Sequence, residues 1–169
     1  MKILSIDIGG SGVKGAVLGE EGGMLTERVR IETPHPCTPD TLLETIAELV
    51  KQLPDFTHIS AGYPGVVRGG VIRTAANLDA SLIGFNLATA LQLSLGCPAR
   101  VANDADVQGL AAIRGKGVEM VATLGTGFGT SLFENGQLGP HLEIAHHPFR
   151  KGETYEQQLG NEARKEAGN

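Results

Sequence analysis

A glycine-rich segment near the amino terminus, Asp7 to Gly15, constrains the fold more than any other part of the chain. It lies between two short runs rich in β-forming residues, Lys2 to Ile8 and Val13 to Leu18, so we expect it to join two strands. A dinucleotide-binding G-x-G-x-x-G opens a helix, and a P-loop reads G-x-x-x-x-G-K-[ST]. Here Lys14 is followed by Gly15 and by no helical period, which disfavours both of those folds.

This turn is predicted to bind phosphate. Successive backbone N–H groups in a glycine-rich turn form a concave anion site that needs no helix dipole. The predicted phosphate-binding residues are Gly9, Gly10, Ser11, Gly12 and Lys14. Asp7 ends the first strand and is expected to hold Mg²⁺ or its waters, because this ion is usually bound by one or two carboxylates plus phosphate oxygens. The alternative is an ordinary hairpin turn.

Composition excludes several classes of protein. The 169 residues are enough to bury a sizeable core, and 41% of them are hydrophobic. A net charge of -5, no tryptophan and only 4% aromatic residues argue against nucleic-acid binding. No apolar run approaches the length of a signal peptide core or a membrane span, so we expect a cytoplasmic protein without a membrane partner. Cys37 and Cys97 lack metal-ligand spacing and are interpreted as free thiols.

A second group of polar residues follows the strand predicted at Pro98 to Ala102. Asn103, Asp104 and Asp106 come directly after it, at the start of an alanine-rich helix predicted to run to about Arg114. Side chains at such a strand-to-helix junction project into a cleft near the positive end of the helix. The alternative is that these carboxylates only cap the helix.

The opening pattern occurs again later in the chain. Residues 120 to 134 repeat the order of strand, glycine-rich turn and returning strand that residues 3 to 18 display. Two such hairpins suggest two related lobes that hold a phosphate chain between them. We therefore predict further phosphate contacts from Gly125, Thr126 and Gly127.

Glu143 and His146 have the chemistry to hydrogen-bond the neighbouring hydroxyls of a sugar, since a carboxylate accepts and an imidazole does either. A zinc site here is disfavoured, because adjacent histidines cannot easily ligate one ion and no cysteine follows them.

The remaining elements follow from periodicity and turn residues. They are a third strand over Met24 to Ile31, a helix capped by Thr38 and ending before Pro54, a short buried strand over Thr57 to Ala61, a small hairpin over Val66 to Ile72, a helix capped by Asn86, and a polar helix from Thr154 onward.

Together these motifs resemble those of the ROK family of sugar kinases. The Ser11 to Gly15 segment is particularly similar to polyphosphate-using members. The resemblance implies an α/β fold of the actin/hexokinase-like (ribonuclease H-like) ATPase class. Residues 1–115 would form the N-terminal lobe, with the first phosphate motif and a catalytic aspartate, and residues 116–169 would begin the second lobe.

The same resemblance implies roles for individual residues. Asp104 would be the general base and Asn103 a sugar ligand. Glu143 and His146 match a Glu-x-Gly-His sugar-binding segment, with Ala145 in place of the usual glycine. Further sugar contacts are implied for Gly65, Asn77 and Glu156.

The implied reaction transfers a phosphoryl group from ATP or polyphosphate to the 6-hydroxyl of glucose or a related hexose, with Mg²⁺. The family's zinc-binding cysteine cluster has no counterpart here, so no zinc is expected. There is also no helix-turn-helix ahead of Asp7, which argues against the repressor branch of the family.

Two lobes of ordinary size need roughly 250 residues, so we expect a truncated or minimal form, or completion by another copy in a homodimer. Two alternatives remain open from the sequence. One is a non-catalytic sugar or phosphate sensor or assembly module that derives from a sugar kinase. The other is an ATPase of the same superfold without a sugar substrate, against which Glu143 and His146 argue.

Overall fold

The computed structural model describes residues 1–75, 78–124, 127–140, 142, 144–166 and 168. The chain forms two compact units, Met1–Asp104 and Ala105–Asn169. Among the described residues, none of the helices combines the length and apolar character that crossing a lipid bilayer requires.

The first unit contains, in chain order, β1 (Lys2–Ile8), β2 (Val13–Gly19), β3 (Val29–Ile31), α1 (Pro39–Val50), β4 (His58–Tyr63), β5 (Val67–Arg68), β6 (Val71–Ile72), a 3-10 turn (Ala80–Leu82), α2 (Leu87–Leu95) and β7 (Ala99–Asn103). Five of the strands form one sheet in the order β3-β2-β1-β4-β7. The β1–β2 and β2–β3 pairs are antiparallel, whereas the β1–β4 and β4–β7 pairs are parallel. The carboxyl ends of β1, β4 and β7 therefore lie at one edge of the sheet.

The two faces of β1 differ, because successive side chains of a strand alternate between faces. Leu4, Ile6 and Ile8 are fully buried in the core of the first unit, which also contains Leu42, Ile46 and Leu49 of α1. The alternate face carries Ile3, Ser5 and Asp7, which are only half-buried. Asp7 therefore leaves the sheet on the face opposite to this core.

Helix α1 begins where its sequence predicts. The Thr38 hydroxyl accepts a hydrogen bond from the backbone N–H of Thr41, and the Thr41 hydroxyl accepts one from Thr38 in return. This capping box satisfies two backbone donors that a helix start otherwise leaves unpaired. Pro39 occupies the first turn, where its missing N–H costs nothing.

The second unit contains α3 (Asp104–Leu110, whose first residue closes the first unit), β8 (Val118–Leu124), β9 (Phe128–Glu134), β10 (Gln137–Leu138), a 3-10 turn (Ile144–His146), β11 (Pro148–Arg150), β12 (Glu153–Thr154), α4 (Tyr155–Leu159) and α5 (Asn161–Glu166). Strands β8, β9 and β10 form an antiparallel sheet in the order β10-β9-β8. Phe133 is fully buried and packs against α3 at Gly109, where a Cβ atom would lie 2.8 Å from the Phe133 ring.

Strand β8 lies at the edge of its sheet among the described residues. Its start is fixed by Glu119, whose carboxylate accepts hydrogen bonds from the backbone N–H groups of Arg114, Gly115 and Lys116 at 2.7 to 3.2 Å. These bonds, that of Arg114 above all, lower the pKa of Glu119.

The repeated hairpin predicted from the sequence is confirmed. β1–β2 and β8–β9 are both antiparallel pairs, and each closes across its glycine-rich turn, at Ile8 opposite Val13 and at Leu124 opposite Phe128. The predicted hairpin near Val66 to Ile72 and the helix capped by Asn86 are also present.

Three predicted elements are shorter than expected. The third strand covers only Val29–Ile31, and Met24 contributes just an isolated bridge to Leu18. Helix α3 ends at Leu110 instead of about Arg114. The next two backbone N–H groups, of Ala111 and Ala112, donate to carbonyls three residues back, and that of Arg114 donates to the Glu119 carboxylate. The carboxyl-terminal helix is broken at Gly160, whose backbone is extended, so that α4 and α5 are separate.

Candidate functional site

In the first glycine turn, backbone carbonyls accept hydrogen bonds, whereas some backbone N–H groups have no acceptor among the described residues. Within it, the Gly9 N–H donates to the Gly12 carbonyl at 3.0 Å. The Thr33 hydroxyl donates to the Gly9 carbonyl at 2.5 Å, and Arg30 Nη2 donates to the Ser11 carbonyl at 2.8 Å. The N–H groups of Gly10 and Ser11 have no acceptor among the described residues. A turn in this state presents positive backbone dipoles to an anion.

Three charged residues form a row beside this turn. Asp7 pairs with Lys14 across β1 and β2, and Lys14 pairs with Arg30 across β2 and β3. Directly opposed residues share one face of a sheet, so all three side chains lie on the same face. Lys14 Nζ lies 3.1 Å from Asp7 Oδ2, with the side chains 35% and 48% exposed. An ion pair this exposed contributes little to stability. Because both side chains are partly exposed, they remain accessible to a ligand.

Asp104 lies close to the end of β4. Gly62 is the cross-strand neighbour of Asp7, and a Cβ atom at Gly62 would lie 3.3 Å from the Cα of Asp104. The missing side chain at position 62 therefore allows the backbone of Asp104 to approach the sheet. The two predicted functional carboxylates, Asp7 and Asp104, are brought to the same end of the first unit by this packing.

Asn103 and Gly65 are in direct contact. Asn103 is buried at the end of β7, and its Nδ2 donates to the Gly65 carbonyl at 3.1 Å. Gly65 itself lies against Thr74, since a Cβ atom there would be 2.7 Å from the Thr74 carbonyl oxygen. These two predicted sugar-site residues therefore lie together in one closely packed cluster. Asp106, the other carboxylate of the segment that follows β7, is buried within α3.

Tyr63 and Cys37 form a buried titratable pair next to this cluster. Tyr63 is fully buried at the end of β4, and its hydroxyl has no hydrogen-bond partner among the described residues. Burial disfavours its phenolate form and, with the nearby Cys37 thiolate, raises the pKa of Tyr63 to about 12. Burial, followed by the charge of Asp79, also raises the pKa of the Cys37 thiol.

Glu156 and His146 meet beside the second glycine turn. A Cβ atom at Gly127 would lie 3.2 Å from Glu156 Oε1, and Glu156 Oε2 lies 3.8 Å from His146 Nδ1. Tyr155 stacks on Phe128 of β9 with ring centroids 5.6 Å apart, which fixes the start of α4 against the hairpin. Within the second unit, three of the predicted site residues are therefore neighbours.

Four predicted site residues lie outside the described part of the chain: Asn77, Gly125, Thr126 and Glu143.

The described residues contain no cluster of three or more His, Cys, Asp or Glu side chains that could hold a metal ion. Asp7 is half-exposed, and its Oδ2 atom is paired with Lys14. A single accessible carboxylate fits a hydrated Mg²⁺ that donor phosphates also bind, since this ion usually keeps several waters.

Three residues of the site, Arg30, Thr33 and Thr74, are not predicted from the sequence. Arg30 and Thr33 hold carbonyls of the first turn from β3 and from the segment after it. Thr74 packs against Gly65. Their roles depend on strand register and on loop packing, and no spacing pattern in the sequence indicates either.

The chain matches the ROK family over residues 3–154. The chain belongs to the ROK family. It is 41% identical over 149 residues to a polyphosphate glucokinase of Mycobacterium tuberculosis. That match covers 83% of this chain and 56% of the relative. The chain therefore spans about half the length of the curated relatives it matches.

Solved structures of sugar kinases have a similar fold. The inorganic polyphosphate/ATP-glucomannokinase of Arthrobacter sp. strain KM superposes with a TM-score of 0.83 and 34% identity, covering 99% of this chain and 71% of that one. A ROK glucokinase of Streptomyces griseus, in complex with glucose and AMPPNP, matches with a TM-score of 0.74 over 96% of this chain and 58% of that one. At 23% identity, this second likeness shows the fold alone. The predicted α/β, actin/hexokinase-like fold class is confirmed.

Proposed function

We propose that this chain is a hexose kinase that transfers a phosphoryl group from ATP or polyphosphate to the 6-hydroxyl of glucose or a related hexose. The observation that carries the proposal is the convergence of the first glycine turn, Asp7 and Asp104 at one end of the sheet. A relative with 41% identity is named a polyphosphate glucokinase, and a structural relative is named a polyphosphate/ATP-glucomannokinase.

Asp104 is the proposed general base. As the hydroxyl oxygen forms a bond to the terminal phosphorus, the bond from that phosphorus to the donor's bridging oxygen breaks. The hydroxyl proton passes to the Asp104 carboxylate. Such a step requires positioning and charge stabilisation more than covalent chemistry by the protein. A well-placed base typically contributes on the order of 10² to 10⁴ in rate.

The first turn is the proposed phosphate site, with the second turn contributing Gly125, Thr126 and Gly127. The N–H groups of Gly10 and Ser11 have no acceptor among the described residues, as an anion site requires. Lys14 adds positive charge where negative charge develops. Asp7 would hold a magnesium ion through water, and that ion, when bound, neutralises donor phosphate charge.

Sugar binding is assigned to the remaining predicted residues: Asn77, Asn103, Glu143, His146, Glu156 and Gly65. The 3.1 Å bond from Asn103 to the Gly65 carbonyl supports a common site for those two. The proximity of His146 and Glu156 supports a common site for these two residues.

The proposal also includes two lobes, residues 1–115 and 116–169, a homodimer and a cytoplasmic location.

The alternative of a non-catalytic sensor is not favoured, because a binding module has no need of a base, and Asp104 is present. A direct assay separates the two. The 169-residue chain is incubated with glucose, Mg²⁺ and either ATP or polyphosphate, and glucose 6-phosphate is measured. Product with either donor supports the kinase. Glucose binding by calorimetry without product supports the sensor.

The Asp104→Asn variant tests the base. Its turnover should fall at least a hundredfold, because an amide cannot accept the proton, while glucose affinity should change less than threefold. Asp55→Asn, which removes an exposed carboxylate elsewhere in the first unit, is the control and should retain activity. Near-normal turnover in Asp104→Asn would overturn the assignment.

A further inference from the structure

Arg30 is an exposed cation at the end of the charged row beside the first glycine turn. We propose that Arg30, next to Lys14, binds the phosphate units of a linear condensed phosphate that lie beyond the unit held by the turn. This inference rests on the proposed function and adds a donor-binding residue to it.

The position of Arg30 follows from strand register. Asp7, Lys14 and Arg30 lie opposite one another on β1, β2 and β3. Neighbouring strands are about 4.8 Å apart, so the backbone positions of the row span about 10 Å perpendicular to the strands. This length suits a linear chain of several phosphates better than a single phosphate ion.

The charges along the row are not equivalent. Lys14 is paired with Asp7 at 3.1 Å, so its charge is already partly neutralised. Arg30 has no carboxylate within ion-pair distance among the described residues. An extended polyanion that begins at the turn therefore reaches, at Arg30, a cation whose charge no described carboxylate neutralises.

The guanidinium is held in place by the turn itself. One of its five N–H groups donates to the Ser11 carbonyl, which leaves the others for phosphate oxygens. The side chain lies over Gly12, where a Cβ atom would be 2.7 Å from Arg30 Nε. The absence of a side chain at Gly12 thus allows the guanidinium to lie against the phosphate-binding turn. Guanidinium groups commonly bind phosphate oxygens in a bidentate manner.

Binding by the 169-residue chain is measured by calorimetry with tripolyphosphate, ATP and orthophosphate at constant ionic strength. Arg30→Ala should bind tripolyphosphate about ten- to a hundredfold more weakly, as expected for the loss of a charge-assisted hydrogen bond. Orthophosphate binding should be unchanged, because the turn alone holds a single unit. Arg30→Lys should lose less than Arg30→Ala, since it retains the charge without the fork.

Two further variants control the result. Arg100→Ala removes an exposed arginine from the same face at the opposite edge of the sheet, four strand spacings or about 19 Å away. It should bind like the wild type. Gly12→Ala retains both arginines but displaces the Arg30 side chain, and should weaken tripolyphosphate binding in the manner of Arg30→Ala.

The ATP experiment distinguishes the two sources of condensed phosphate. An equal loss with ATP and tripolyphosphate supports recognition of any triphosphate, whereas a loss with tripolyphosphate alone supports recognition of the inorganic polymer. The inference is overturned if Arg30→Ala binds tripolyphosphate normally, if orthophosphate binding falls equally, or if Arg100→Ala has the same effect. Absence of tripolyphosphate binding by the wild type also overturns it.

Different results would contradict the role of Arg30 and the proposed kinase activity. If the wild type phosphorylates glucose while Arg30→Ala binds every donor normally, the inference fails and the kinase stands. If tripolyphosphate binding depends on Arg30 but no glucose 6-phosphate forms, the phosphate site stands and the kinase fails.

Discussion

At the scale of single residues, the site depends on side chains that are missing as much as on those present. Gly62 allows Asp104 to approach the sheet, and Gly12 allows Arg30 to lie across the first turn. Neither glycine has a positive φ angle, so backbone conformation does not require glycine at either position. The requirement at both is space.

Gly62→Ala should therefore impair catalysis more than folding. The new Cβ would lie 3.3 Å from the Asp104 Cα, so the Asp104 backbone must shift by a few tenths of an ångström. Because a displacement of about 1 Å can cost on the order of a hundredfold in rate, we expect turnover to fall about three- to tenfold. The free energy of unfolding should change by about 1 kcal/mol or less.

Gly23→Ala is the matched control for this change. A Cβ atom there would have no neighbour within 4 Å, and the φ angle is not positive. It should leave both turnover and stability unchanged. If Gly62→Ala has wild-type turnover, close packing at position 62 does not determine where Asp104 lies.

At the scale of elements, the contact between β2 and α1 is unusually close. A Cβ atom at Gly15 would lie 2.5 Å from Leu49 Cδ2, and Leu49 is fully buried. Gly15→Ala should destabilise the fold by about 1 to 3 kcal/mol through overpacking. Leu49→Ala should cost about 2 to 5 kcal/mol through the cavity that it leaves.

A double variant tests whether the methyl group added at position 15 occupies the cavity that the loss of the Leu49 side chain leaves. In the double variant the added methyl group partly fills the cavity, so the loss should be smaller than the sum of the single losses by about 1 kcal/mol. Urea unfolding of the four proteins measures this coupling. Simple additivity would mean that α1 moves away from β2 instead of maintaining the contact.

The sequence predicted the elements better than it predicted their ends and contacts. The helix at Pro39–Val50 and both glycine-turn hairpins follow from local signals, namely a capping threonine and apolar alternation beside glycines. Helix α3 ends early, since Ala111 and Ala112 donate to carbonyls three residues back. The N–H group of Arg114 then donates to Glu119, several residues further on, in competition with a helical hydrogen bond. Such competition is not visible in helical periodicity.

The site residues that belong to sequence motifs were predicted. Arg30, whose position depends on strand register, was not. Asp7 and Asn103 lie at the ends of β1 and β7, Asp104 directly follows β7, and parallel strand ends meet at one edge of a sheet. Arg30 comes from the third strand, which was predicted with the wrong length. Its place opposite Lys14 depends on how the loop between β2 and β3 sets the pairing.

At the scale of the whole molecule, stability should depend on pH on the alkaline side. The folded state raises the pKa of Tyr63 from 10.0 to about 12, mainly because burial disfavours the phenolate. The unfolded chain therefore releases this proton first, and stability falls as the pH rises between 10 and 12. The loss should reach about 2 kcal/mol, and the raised pKa of Cys37 adds to it.

Tyr63→Phe should differ little from the wild type at pH 8, since it removes a buried hydroxyl that has no acceptor among the described residues. At pH 11 to 12 it should lose less stability than the wild type. Urea unfolding across this range measures both curves. Parallel curves for the two proteins would show that Tyr63 does not titrate differently in the folded and unfolded states.

The row formed by Asp7, Lys14 and Arg30 also has a consequence for how such a site is inherited. Insertions in the exposed loop between β2 and β3 leave it intact, provided that Val29–Ile31 keeps its alignment with Val13 to Gly15. A slip of one residue in that pairing would turn Arg30 to the opposite face of the sheet without changing any amino acid. The presence of this row in a homologue is therefore recognised from strand pairing, and two homologues can both have it with loops of different length.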